Sequence, residues 1–425
     1  MFTTGRHADV VIVGAGIAGL TAARRLAGAG VAVTVLEAAG VPGGRMATEE
    51  VDGFLLDRAG LPLSTAHRVL DGVPLRLFQP GVLVRADGRL HRTGVPGVSP
   101  AAALSRPRAL AEVPRSLDQA RLGAALARLA QTPDERLAVR PERSAGRALS
   151  VRGLPARTVH RFVRPLLRAL LGDPELSTSS RLADLALRDY ARGRLCVPEG
   201  GAAALPARLA GALPAGVLHT DVQVKDASVN RVVTAGHGEL ECRALVVATG
   251  ARAAAELLPG LRVPDFRPLT VLHHAVPGPP PAGAWPVLDA DRRGPADWSA
   301  VMSEVDPARA PEGRSLVSTV VSGALPDRLD ERVRRQLSAL YGVDTGDWEL
   351  LDVHHDPEAV PATPAPHDAD RPVRLLAGLY VCGDHRGAPG AQGAYASGLR
   401  AADAVLRDLG VPLPAAGPLP LPAAA

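Results

Sequence analysis

Gly14, Gly16 and Gly19 stand directly after an apolar run at residues 10–13 and directly before a helical stretch at residues 20–29. A second apolar run, residues 31–36, ends in Glu37. Strand, glycine turn, helix, strand and acid in this order have the chemistry of a dinucleotide site. Gly14 permits the tight turn out of the strand. Gly16 lacks a Cβ, so the backbone can approach a pyrophosphate. Gly19 lets the helix pack close to the sheet. Ile17 and Ala18 sit where that helix opens, and its N-terminus offers N–H groups and a positive dipole end to phosphates. Glu37, followed by Ala38, can accept hydrogen bonds from a ribose diol. A βα turn with no phosphate to hold would leave Glu37 unexplained.

Gly43-Gly44-Arg45-Met46 follows shortly after. This run resembles the GGR motif of the FAD-dependent amine oxidase, protoporphyrinogen oxidase and phytoene desaturase superfamily. The resemblance implies that the paired glycines run close to the phosphates and ribityl chain, with the arginine near the diphosphate or flavin. Residues 53–60 read as a short strand and turn. They are similar to the family's Gly-Phe-x-x-Asp-x-Gly segment, which passes near the flavin and here ends at Gly60. Residues 161–181 and Pro198-Glu199-Gly200-Gly201 resemble a desaturase-like subgroup, in which the Pro-x-Gly-Gly turn returns the chain to the FAD domain. Residues 217–224 read as a strand. Val222 stands at the family's adenine-contacting position, although by itself it is also an ordinary strand valine. Residues 246–250 end in Ala248-Thr249-Gly250, similar to the strand and turn that lie under the cofactor in many FAD proteins.

The closing motif is Gly383-Asp384, followed by residues 387–398 with Gln392, Gly393 and Ala394, and then a helix with Leu399, Ala402, Val405 and Leu406 on one face. It resembles the superfamily's C-terminal FAD motif. There the Asp binds the ribityl chain, and the helix N-terminus points at the flavin's pyrimidine edge, where it stabilises negative charge on the reduced ring. Gly393 and Ala394 match the family's Gly-Ala pair, whose backbone N–H lies near O2. The implied cofactor is non-covalent FAD. The implied reaction is dehydrogenation of a hydrophobic small molecule by hydride transfer to flavin N5. Flavin amine oxidase, flavin monooxygenase and non-catalytic flavin binding are the alternatives.

No Ser-His-Asp constellation is visible, and no metal is expected. His273-His274 and His354-His355 are adjacent pairs, and neighbours on a strand point to opposite faces. His385, directly after Asp384, and Tyr395 are the weak catalytic candidates; for His385 a hydrogen-bonded loop role competes. Lys225 invites comparison with the lysine that amine oxidases of this superfamily place near N5, but its position in the adenine-side strand reads as surface. Cys382 reads as buried. The aromatic cage of amine oxidases is missing: one of its positions is Gly390, and the chain has four Tyr, three Trp and five Phe. An aromatic-poor pocket suits a greasy substrate.

These elements require an α/β fold: a Rossmann-type FAD-binding domain, discontinuous in sequence, plus an α+β substrate domain with a helical cap. The FAD domain is expected at residues 1–95, 198–265 and 370–410, and the substrate domain at 96–197 and 266–369. Residues 411–425 form a Pro/Ala-rich tail. Leucines spaced as in Leu110, Val113 and Leu117, then Leu122, Leu126 and Leu129, predict helices over about 99–190. The 425 residues favour two domains. Cys196, Cys242 and Cys382 are too widely spaced for a disulfide scaffold or redox pair. A net charge of +4, with arginines scattered and Lys225 the one lysine, excludes a nucleic-acid role. No apolar run is long enough to span a bilayer, and residues 1–8 do not read as a signal peptide. A cytoplasmic protein is expected, with peripheral membrane contact left open and the oligomeric state unknown.

Overall fold

The computed structural model describes residues 8–94, 116–151, 153–368 and 371–414. The first part of the expected helical cap, with Leu110 and Val113, and most of the tail lie outside them. Along the chain come β1 (Ala8–Val13), α1 (Ile17–Ala27), β2 (Val33–Leu36), β3 (Thr48–Val51), β4 (Phe54–Asp57), β5 (Leu63–Ser64), β6 (Leu75–Leu77), β7 (Val82–Ala86) and β8 (Arg89–Thr93). The longer helices of the next stretch are α2 (Ser116–Ala130), α3 (Arg164–Leu171) and α4 (Ser180–Arg192). Then follow β9 (Leu195–Pro198), α5 (Ala204–Gly211), β10 (Leu218–His219), β11 (Val224–Ser228), β12 (Arg231–Thr234), β13 (Gly238–Val247), α6 (Ala251–Leu257) and β14 (Phe266–Val276). The chain closes with β15 (Val287–Asp289), β16 (Ala296–Val301), β17 (Ser315–Ser322), α7 (Leu329–Tyr341), β18 (Glu349–Pro361), β19 (Arg374–Leu376), β20 (Leu379–Val381) and α8 (Ala391–Asp408).

One sheet runs β10-β2-β1-β13, with β20 on the far side of β13; these five strands are parallel. Apart from Asp9 near its start, β1 is apolar and buried, as a strand covered on both faces must be. α1 and α8 cover one face and pack very closely. A Cβ on Gly398 would sit 2.3 Å from the Ala18 carbonyl oxygen, so only glycine lets the two backbones meet there. Because β1 pairs with β2 on one side and β13 on the other, a crevice opens at the strands' carboxyl ends.

The second sheet runs β18-β14-β17-β16-β15-β7-β8. Its buried face joins the helices α2, α3 and α4 in one apolar core with Phe162, Leu166, Leu167, Leu187, Val271, Trp298 and Val320. Thus the chain leaves the nucleotide sheet earlier than the expected boundary at residue 95. β7 and β8 belong to the second sheet because β7 pairs in parallel with β15, matching Val84 to Leu288.

Two further expectations shift. The predicted strand over 217–224 is broken: β10 ends at His219, Asp221 takes a left-handed φ of 57°, and β11 starts at Val224. Val222 therefore lies in a crossing segment, its N–H donated to the Glu37 carbonyl at 2.8 Å. The last helix starts at Ala391, so Gly393 and Gly398 lie inside it instead of before it.

Candidate active site

A cavity of about 770 Å³ lies at the carboxyl ends of β1, β2 and β13. Gly14 holds φ 103°, which turns the chain out of β1. A Cβ at Gly19 would stand 2.0 Å from the Gly14 carbonyl oxygen, so α1 rests directly on the turn. Gly16 differs: a Cβ there would meet nothing within 4 Å. That space is part of the cavity. Glu37 braces the loop, one carboxylate oxygen accepting from the Ala15 N–H at 2.6 Å and the other from the Ala39 N–H at 2.9 Å. Each oxygen retains a lone pair for a ligand hydroxyl.

The opposite wall is electrostatic. Arg45 donates to Asp384 Oδ1 at 2.6 Å, and Asp384 Oδ2 accepts from the Gly390 N–H at 3.2 Å. Asp384 is 2% exposed, whereas the Arg45 side chain is 44% exposed and lines the cavity. The Asp384 charge raises the Arg45 pKa further, so the guanidinium stays cationic. The N-terminus of α8 contributes Ala391 and Ala394 to the lining. The Ala394 N–H is already donated to the Gly390 carbonyl at 3.0 Å, so donors left for a ligand lie earlier in this first turn.

The cleft fits a flavin dinucleotide. It has a glycine wall with open room at Gly16 and Gly250, an acid at Glu37, a cation at Arg45 and a helix N-terminus. A family model described as flavin containing amine oxidoreductase matches residues 17–406. The chain belongs to the flavin containing amine oxidoreductase family. FAD is its cofactor. The hydroxyneurosporene desaturase of Rubrivivax gelatinosus is 42% identical over 92 residues, 19% of this chain and 17% of that protein. The L-amino acid oxidase Cdc18 of Crotalus durissus cumanensis is 48% identical over 67 residues, 16% of this chain and 14% of that protein. The matched segments thus span less than a fifth of these curated relatives. Over nearly full length, the solved structure of cyclohexylamine oxidase from Brevibacterium oxydans IH-35A shares the fold. Its TM-score is 0.67 and its identity 18%, covering 95% of this chain and 99% of that one.

For this family member, most residues singled out from sequence line the cavity: Gly14, Gly16, Ile17, Ala18, Glu37, Ala38, Gly43, Gly44, Arg45, Met46, Gly60, Val222, Ala248, Gly250, Gly383, Asp384 and Ala394. Three others sit behind it. Gly19 packs α1 on the turn. Gly393 brings α8 against Ala388, whose carbonyl oxygen would lie 1.6 Å from an added Cβ. The Gln392 side chain accepts from the Val69 N–H at 3.2 Å.

The two weak catalytic candidates are not in the wall. Tyr395 follows Ala394 by one helical step, which turns it away from the cleft into the core cluster it shares with Ile17 and Leu20 of α1. His385 is buried at 4% exposure, and burial lowers its pKa to about 4, so the ring is neutral. Lys225 is exposed and lines the cavity beside Val222 and Gln223. The histidine pairs separate as expected. His273 meets Ser318, and His274 meets Asp330 at 2.8 Å. Cys382 is wholly buried, its thiol pushed up to about 12. Sequence reasoning missed His354, Asp356, Glu358 and Ala359 of β18, which complete the wall beside Phe266 and Leu269 of β14. The alternation of His354, Asp356 and Glu358 along one strand is the signal that was available.

Proposed function

We propose that this protein dehydrogenates a hydrophobic small molecule with FAD as electron acceptor. The observation that carries this reading is a small inner pocket of about 50 Å³ that shares Met46, Ala59, Leu61 and Leu63 with the cleft. Phe78, Val271, Trp298, Met302 and Val320 supply apolar wall. Its polar groups are engaged with one another. Arg309, 1% exposed, donates to Asp57 at 2.6 Å. His273 bridges Ser318 Oγ at 2.9 Å and the Asp57 carbonyl at 3.0 Å, and burial lowers its pKa to about 4. A substrate ammonium or carboxylate would find no free countercharge among these lining residues. Burying such a charge alone costs several kcal/mol. Two acids of the wider cleft are committed as well, Asp384 to Arg45 and Glu358 to Arg252.

Bound flavin supplies a two-electron acceptor for a substrate C–H bond. The chain's part is to bind and to exclude water. In this reading Glu37 holds a ribose, Arg45 balances phosphate charge, and Leu61, Leu63 and Leu269 keep the reacting region dry. The test is anaerobic mixing of the FAD-loaded protein with an apolar polyene, alkyl amines and L-amino acids, following loss of oxidised-flavin absorption. The polyene is expected to bleach the flavin. Bleaching by amines or amino acids alone would replace this reading with an amine oxidase. Reduction only by NADPH would mean a monooxygenase, and a flavin resisting every donor would mean binding without turnover.

A further inference from the structure

A second cavity, of about 310 Å³, lies at the ends of β16 and β17, apart from the cleft. The same strands serve both places. Trp298 and Val320 line the inner apolar pocket, while Ala296, Asp297, Val321 and Ser322 line the second cavity.

Four arginines from three elements converge on it: Arg168 of α3, Arg292 and Arg293 of the β15–β16 turn, and Arg332 of α7. Arg168 is 8% exposed, its Nε donated to the Pro174 carbonyl at 2.9 Å. Among the described residues, the side chains of Arg292, Arg293 and Arg332 form no hydrogen bond or ion pair. Asp289 and Asp297 share the cavity, so four guanidinium groups face two carboxyl groups and positive charge is in excess. Asp289 spends its carboxylate on the turn that carries the arginines: Oδ1 accepts from the Asp291 and Arg292 N–H groups, and Oδ2 from the Arg293 N–H and Gln336 Nε2. Asp297 accepts from the Ser322 N–H at 2.9 Å; burial raises its pKa, opposed by the Ser322 hydrogen bonds and the charges of Arg168 and Arg292. Burial and the like charges of Arg292 and Arg164 weaken the hold of Arg168 on its proton and outweigh the opposite charges of Asp297 and Glu175. Like charges held together around a concave space, with too few acids to balance them, are stabilised by a bound anion. Several planar guanidinium forks match the oxygens of a phosphate, and their summed charge exceeds what one carboxylate would balance.

We infer that this cavity binds the phosphate or diphosphate group of a small soluble molecule. Isothermal titration of pyrophosphate into FAD-loaded protein tests it, since bound FAD removes the dinucleotide cleft as a competing site. Saturable binding is expected. Arg292→Gln and Arg332→Gln, both at exposed positions that do not threaten folding, should each weaken it at least about fivefold. Arg168→Gln should do the same, whereas Arg231→Gln on the β11–β12 hairpin should not. Vesicles containing phosphatidate separate the two sources of phosphate: binding of pyrophosphate without vesicle binding supports the soluble ligand. No heat at millimolar pyrophosphate, equal affinity in the Arg292→Gln/Arg332→Gln double variant, or binding to vesicles alone would overturn the inference.

Discussion

Gly16 and Gly19 belong to one turn but do different physical work, and substituting each by alanine separates folding from cofactor binding. Gly16 has φ −74° and ψ −180°, a conformation alanine adopts without strain, and its Cβ would touch no protein atom within 4 Å. Gly16→Ala apoprotein should therefore keep its stability to within about 0.5 kcal/mol, as surface substitutions do. The added methyl enters the space where the pyrophosphate must approach. Overfilling a packed contact costs about 1–3 kcal/mol, which is roughly a 5- to 150-fold loss in FAD affinity. Gly19→Ala is the reverse case. To relieve the contact from 2.0 Å to the 3.0 Å that real Cβ atoms respect, α1 must back off the turn by about 1 Å. The atom in the way is backbone, so the apoprotein itself should lose about 1–3 kcal/mol or more. Urea unfolding of the apoproteins and titration of FAD by fluorescence quenching measure both quantities. A Gly16→Ala protein that binds FAD as tightly as the native chain would refute the placement of the pyrophosphate, and with it the argument that the empty space at Gly16 is there for a ligand.

Burial lowers His67, His273 and His385 from 6.5 to about 4. Unfolded rings take up protons near pH 6.5 that the folded rings refuse until about 4, so stability is whole above 6.5 and falls as pH drops through that window. At pH 5 each ring costs about 2 kcal/mol relative to pH 8. Urea midpoints across this range should shift accordingly, and less so in His273→Gln; a flat profile would contradict the burial argument. Arg309→Met removes the guanidinium that Asp57 and the fully buried Asp306 share, and should cost about 3–5 kcal/mol by thermal or urea unfolding, with native-like stability as the opposing result. Val320→Phe fills the inner pocket from a strand that does not touch the dinucleotide cleft. FAD should stay bound while flavin reduction by the apolar donor slows at least tenfold, roughly the cost of an overpacked site; unchanged reduction would remove that pocket from the substrate's path.

The dinucleotide cleft is legible in the sequence because its parts are local. Gly14, Gly16, Ile17 and Ala18 are a single turn, Gly43 to Met46 another, and neither needs distant information to be recognised. Glu37 ends the strand beside that turn, so its place follows from one βαβ unit. The misplacements come where one helical step or one strand pairing decides. Tyr395 differs from Ala394 by a single position on α8, yet it faces α1 instead of the cleft. β7 and β8 read as a continuation of the first domain, and only the parallel pairing of Val84 with Leu288 carries them into the second sheet. The wall residues His354, Asp356 and Glu358 become part of the site through the long antiparallel pairing of β18 with β14. The same distance effect governs chemistry. Asp57, His273 and Arg309 lie far apart in the chain and nothing in their neighbours marks them as partners, yet their mutual bonds remove the free charges from the inner pocket. The motif residues line the cleft that fits the cofactor the whole family shares, so they identify the family. The substrate is selected by which polar groups are left unpaired, and that is a property of long-range pairing that no local pattern records.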